Sequence, residues 1–145
     1  MKIEITDEPF NPWQLLQQYE QERDEQSSTF GATNVFVGTM RDFNEGDPVT
    51  AMTLEHYPGM TDKYLQRIAQ EAMVRWDLLD ALVVHRVGAI RLDETIVLLA
   101  TWSAHRGASF EASRYLIEEL KHRAPFWKKE TLAGGERWVE NNTKG

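Results

Sequence analysis

At 145 residues, with 41% hydrophobic and 27% charged residues, the chain is long enough for one domain with a real core and belongs to neither the disordered nor the fibrous class. A formal net charge of −7 argues against nucleic-acid binding, which needs many phosphate-neutralising cations, and the absence of cysteine excludes disulfides, thiolate metal ligands and a catalytic thiol of the chain's own. No apolar run nears the ~18 residues of a membrane span, and MKIEITDEPF has no secretion signal, so a cytoplasmic protein without membrane attachment is expected.

KIEIT alternates like a short strand, and Asn11-Pro12 then has the composition of a helix start, with Asn as N-cap and Pro in the first turn; this helix is expected to run to about Glu22. Gln26-Ser27-Ser28 is a polar break. FGATNVFVGTM reads as a strand with Val35 and Val37 on one face, ending at Arg41. Asn44, Gly46, Asp47 and Pro48 make a turn with a mobile, polar tip, and VTAMTLEHY returns from it as the second strand of a hairpin. From Pro58-Gly59-Met60-Thr61 a helix opens in which Tyr64, Leu65, Ile68, Ala72 and Met73 recur at three- and four-residue steps, the spacing of one buried face, and it ends near Trp76.

ALVVHRVGAI and ETIVLLATW are β-branched, apolar runs that predict two buried, adjacent, antiparallel strands, with His85-Arg86 turning a chain reversal. A last helix is expected from about Arg106 to His122, capped by Ser103 or a neighbour, with Phe110, Ile117 and Leu120 on its core face and small Ser113 between them. Pro125 stops it, and FWKKETLAGGERWVE, with Gly134-Gly135 at its centre, predicts a closing hairpin. Three helices mixed with about six strands, without regular βαβ alternation, define a single α+β domain over residues 1–145 with a largely antiparallel sheet.

Charge is unevenly distributed. Residues 1–30 hold seven acids against Lys2 and Arg23, whereas residues 105–129 hold six bases against three acids, a local net of +3. A cationic patch on an acidic protein fits a small anion better than a long polyanion. Within it, His105-Arg106 at a helix start combines free backbone N–H groups with a forked guanidinium, a setting suited to phosphate, although a solvated turn has the same composition. Lys121 in the last turn is explained equally by the helix dipole. Its neighbours change the weighing: Lys121, Arg123, Lys128 and Lys129 crowd around Pro125, Phe126 and Trp127, and crowded cations lower one another's proton affinity, making a lysine a candidate base or nucleophile. His105 and Lys121 stand about 24 Å apart at 1.5 Å per residue, so they serve different sites or meet across a symmetric dimer. No GxGxxG, P-loop or nucleophile elbow is present, and His56, His85, His105 and His122 lack the spacing of a metal site; neither metal nor cofactor is expected.

FVGTMRDFNEGDPV, LEHYPGM, HRVGAI, SAHRGASFEA, LKHRAPFWKKE and GERWVE occur in the order found in the large, catalytic subunit of molybdopterin synthase, and over about residues 30–140 the chain resembles that family. The resemblance implies an α/β-hammerhead-like fold with a protruding hairpin subdomain. It implies transfer of two sulfurs to cyclic pyranopterin monophosphate, forming the dithiolene of molybdopterin. The sulfur would come from a small ubiquitin-like subunit with a C-terminal Gly-Gly thiocarboxylate, bound to a homodimer at the centre of a heterotetramer. The family's essential lysines fall on Lys121 and Lys128; Arg41, His105 and Arg106 match its anion-binding positions, with Thr39, Met40, Lys129 and Glu130 as flanking substrate contacts. Lys129 stands where relatives often have arginine. The competing reading is a non-catalytic module that docks a ubiquitin-like carrier tail.

Overall fold

The computed structural model describes residues 1–23, 27–41, 43–44, 47–132 and 134–139. Parts of three expected features lie outside the described residues: the polar break at 26, the hairpin tip at 42, 45 and 46, and the tail beyond 139. The elements run β1 (Lys2–Thr6), α1 (Pro12–Gln21), β2 (Ala32–Thr39), β3 (Phe43–Asn44), β4 (Asp47–His56), α2 (Met60–Arg75), β5 (Asp80–Arg86), β6 (Gly88–Arg91), β7 (Thr95–Ser103), α3 (Arg106–His122), β8 (Phe126–Leu132) and β9 (Gly135–Trp138). Among the described residues, three α-helices and nine strands make the α+β class expected, with more strands than the roughly six anticipated because the short β3 is separate and one apolar run divides into β5 and β6.

The first sheet has the order β1-β5-β7-β2 and is antiparallel except at β1-β5. Its two faces follow strand alternation. Leu82, Val84, Leu98, Ala100 and Trp102 face α1, packing with Leu15, Leu16 and Tyr19. Val83, Val97 and Leu99 face the other way, onto Leu65, Ile68 and Ala72 of α2 and Ala112, Leu116 and Leu120 of α3. With both faces covered, β5 is buried at every position, which is why its sequence reads as a continuous apolar run.

The second sheet has the order β3-β4-β8-β9, with β6 also on β4. Its small core of Met52, Leu54 and Ile90 closes with Met40 and Ile96 from the first sheet, joining the two. ALVVHRVGAI is therefore not one strand: Gly88 adopts φ +80°, a left-handed conformation that favours glycine, and the chain leaves the first sheet after Arg86 to enter the second.

Helix ends follow their caps. The Asn11 side chain accepts from the backbone N–H groups of Trp13 and Gln14 at 3.0 and 3.2 Å, with Pro12 opening α1 as predicted. The cap of α3 is His105, not Ser103; the Ser103 hydroxyl instead donates to the His105 carbonyl at 2.6 Å, fixing the entry to the helix. The expected core face of α3 also needs correction. Small Ser109, Ala112 and Ser113 sit against the sheet with Leu116 and Leu120, whereas Phe110 is 61% exposed. Small residues let helix and sheet approach closely, and the bulkier Phe110 is left outside.

Candidate functional site

The cavity that matters lies where the sheets join. Its volume is about 210 Å³, and its wall includes Thr39, Met40, Arg41, Lys121, Lys128 and Glu130. Each is delivered by a local device. A register shift between Gly38 and Thr39 at the end of β2 turns Met40 inward, to 4% exposure. Met40 is then tied through both backbone groups to the β6–β7 turn: its N–H donates to the Glu94 carbonyl at 2.9 Å, and its carbonyl accepts from Asp93 at 3.0 Å. Glu94 in turn meets the buried Arg86 guanidinium at 3.5 Å and accepts from the Arg91 N–H at 2.6 Å. Arg41 leaves this braced point exposed.

Gly38 also belongs to the wall. A Cβ there would stand 2.9 Å from the Val97 side chain and 3.4 Å from the Phe36 ring, so the strand passes too closely for any other residue without displacement.

Lys121 arrives from the last turn of α3, and Lys128 from β8 across the Pro125 turn. The Thr61 hydroxyl at the start of α2 holds this turn by donating to the Pro125 carbonyl at 3.0 Å. Alternation along β8 sends Lys128 and Glu130 to the cavity and Lys129 to the opposite side, where it pairs with Glu136 at 3.0 Å and lies 5.6 Å from the Trp138 ring centre. Glu130, 5% exposed, accepts from Arg137 at 3.1 Å.

Burial pushes the Lys121 pKa down to about 8, and the charge of Lys128 adds to the effect. Lys128 is lowered too, first by burial; Glu130 opposes and Arg41 reinforces that direction. Of the residues singled out in the sequence, Lys129, turned away on β8, and His105 and Arg106 are not brought here; the latter two lie exposed at the opposite end of α3. Phe36, Met52 and Ile96 complete the walls without having been anticipated, since apolar residues in strands carry no chemical signal.

A second surface feature runs along α3. Arg106, Phe110, Arg114, Ile117 and Lys121 fall within about 80° of one another on the helix, at 100° per residue. A groove of about 450 Å³ lies beside this stripe, lined by Phe36 of the edge strand β2 together with Phe110, Arg114, Ile117 and Lys121.

Fold and site together define an α+β domain whose cationic cavity, with two desolvated amines, has the charge and size to hold a small anion. The chain belongs to the MoaE protein family, whose model matches residues 5–123. It is 56% identical over 110 residues to a molybdopterin synthase catalytic subunit of Ralstonia nicotianae, covering 76% of this chain and 62% of that protein's length. The corresponding subunit of Haemophilus influenzae is 42% identical over 140 residues, covering 97% and 90%. Among solved structures, a molybdopterin synthase from Staphylococcus aureus superposes with a TM-score of 0.84 at 32% identity, covering 97% of this chain and 99% of that one. The MoaE protein from Burkholderia ambifaria gives 0.79 at 41% identity, covering 99% and 92%.

Proposed function

We propose that the chain is the catalytic subunit of a molybdopterin synthase and that the cavity between its sheets transfers two sulfurs to cyclic pyranopterin monophosphate, one from each of two small ubiquitin-like partners whose C-terminal thiocarboxylates leave as carboxylates. The single observation that carries this reading is the joint placement of Lys121, Lys128 and Arg41 on one small cavity, with Lys121 lowered to about 8. Both reactants are anions, and negative charge develops as sulfur leaves the carrier's carbonyl carbon and as the phosphate ring opens; fixed cations in a partly desolvated site stabilise that charge. A lysine poised near neutrality is present in part as the uncharged amine and serves as the base, while Arg41 and the second lysine hold the anionic groups. The chain has no cysteine, so on this reading the sulfur comes from outside it.

The reading extends to the dimer. The position midway between Arg106 and Lys121 falls at Ser113/Arg114, so two copies of α3 packed antiparallel about a two-fold axis there bring each Arg106, with its neighbour His105, to the partner's lysine pair. The exposed Phe110 and the groove beside it supply the apolar contact such packing needs. This arrangement answers the 24 Å separation, about 16 residues of helix, that keeps the two ends apart within one protomer.

The test is reconstitution with a thiocarboxylated carrier and the cyclic precursor. Lys121→Ala and Lys128→Ala are each expected to abolish product formation while leaving the fold intact. Normal turnover by either variant defeats the roles assigned to the two lysines, and a wild-type chain that binds carrier without converting precursor identifies a docking module instead.

A further inference from the structure

The guanidinium of Arg86 is buried at the seam between the sheets and has no part in the chemistry above. The expectation that His85-Arg86 turns a chain reversal is incorrect: both residues stand in β5, paired with Ile5 and Thr6 of β1, and the chain crosses to the second sheet only beyond them, at Gly88.

Arg86 is 1% exposed. Its Nη2 donates to the Ala89 carbonyl of β6 at 2.7 Å, and its Nη1 meets the Glu94 carboxylate at 3.5 Å as an ion pair without a hydrogen bond; Nε has no hydrogen-bond partner among the described residues. Stability alone does not ask for a guanidinium paired this loosely, because an apolar side chain of similar volume avoids its desolvation cost. What the fork supplies is direction, with one prong on the second sheet and the other on the turn that leads back into the first.

Glu94 passes that direction on. Its Oε1 accepts from the Arg91 N–H at 2.6 Å while its Oε2 faces Arg86, so the acid folds back over its own turn, in which Asp93 takes a left-handed φ of +68°. This shape aims two backbone groups at Met40, the Glu94 carbonyl that accepts from its N–H and the Asp93 N–H that donates to its carbonyl. The Met40 side chain is buried with Met52 and Ile96. Arg41 comes next, in neither β2 nor β3, and reaches the cavity wall from this tethered point.

We propose that Arg86 is a positioning residue for Arg41, acting through Glu94 and the backbone of Met40 to hold the exposed guanidinium where an anionic substrate meets it. The kinetic consequence rests on the sulfur-transfer reading; the brace itself does not.

The experiment has two arms. Arg86→Met fills the same space without charge, and Glu94→Gln, at the partly exposed end of the ion pair, carries the same test should Arg86→Met not fold. By amide hydrogen exchange, the Met40 and Asp93 N–H groups should exchange at least about 10-fold faster in these variants, while those of the paired strands β5 and β7 keep their wild-type rates. Unchanged rates at Met40 and Asp93, or a rise shared by every strand, overturn the proposal. In the reconstituted reaction, Arg86→Met should raise KM for the cyclic precursor about 10-fold with kcat little changed, and should add nothing to the KM of an Arg41→Ala chain, because both substitutions remove the same contact. Where Arg41→Ala is impaired, an unchanged KM in Arg86→Met, or an equal rise in both backgrounds, overturns the proposal. A wild-type KM in Arg41→Ala instead defeats the anion-holding role of Arg41 in the sulfur-transfer reading, and the exchange rates then decide the brace by themselves.

Discussion

Lys121 illustrates how a buried amine opposes the fold that carries it. Its folded pKa of about 8 lies below the ordinary 10.5, so the folded state binds the proton more weakly than the unfolded chain does. Below pH 8 the side chain is charged in both states and the full desolvation penalty is present; between pH 8 and 10.5 the folded state releases its proton first and the penalty fades. Lys121→Met should therefore be more stable than wild type by about 1–3 kcal/mol at pH 7, given ~1.4 kcal/mol per tenfold change in proton affinity, with the gain shrinking at pH 10.5. Denaturant unfolding at both pH values measures it. The same pair predicts a kinetic signature. With the Lys128 charge removed, the Lys121 titration moves upward, an effect visible as slower amine labelling at pH 8 in Lys128→Met. At this scale the sequence disclosed the crowding of cations, because chain proximity alone guarantees it. It points to His85 as turning a chain reversal, whereas the residue stands inside β5, paired with Ile5 and Val97; a histidine in an apolar strand has no neighbours in sequence to say what approaches it through space.

The helix α3 was legible in its limits, where His105, Pro125 and the terminal lysine act locally. Its facing was not. Hydrophobicity states that Phe110 and Ile117 favour burial, but not whether the surface that buries them belongs to the same molecule. Ser109, Ala112 and Ser113 take the intramolecular contact, and the large residues are left for a second copy on the proposed packing. Phe110→Glu should then shift the protein from dimer to monomer in sedimentation while its circular dichroism is retained. A stronger test of sharing is complementation. Arg106→Ala and Lys121→Ala chains, each inactive alone, should regain about a quarter of wild-type activity on 1:1 random mixing, because half of the dimers are hybrids and each hybrid has one intact site. No recovery on mixing would place both ends of the helix in separate sites.

Across the whole molecule, two anchors hold the first sheet. Asp80, 5% exposed at the start of β5, accepts from Tyr19 at 2.9 Å and pairs with Arg23 at 2.8 Å and the N-terminal amine at 2.9 Å. Arg23 in turn lies 4.4 Å from the ring centres of Phe30 and Trp102. Burial alone raises the Asp80 pKa, but the hydrogen bonds from the amine and Tyr19 outweigh it and hold the group below its ordinary 3.8. This contribution is complete above that value and is lost as pH falls through the lower folded one. Asp80→Ala strands the buried guanidinium and should destabilise by about 3 kcal/mol in chemical denaturation. Neither anchor was foreseen, because their partners are 57 and 61 residues away along the chain. The class of fold was legible from apolar runs and turn residues; the division of one run between two sheets was not, since only Gly88 marks the crossing and its φ is invisible in sequence.

That crossing bears on how the protein answers a ligand. One wall of the cavity comes from β2, β7 and α3 and the other from β4 and β8, so on the proposed reading an anion held between Lys121 and Lys128 would act as a rivet between two plates. Amide hydrogens should slow their exchange along the length of β7 and β4 alike, at positions that never touch the ligand.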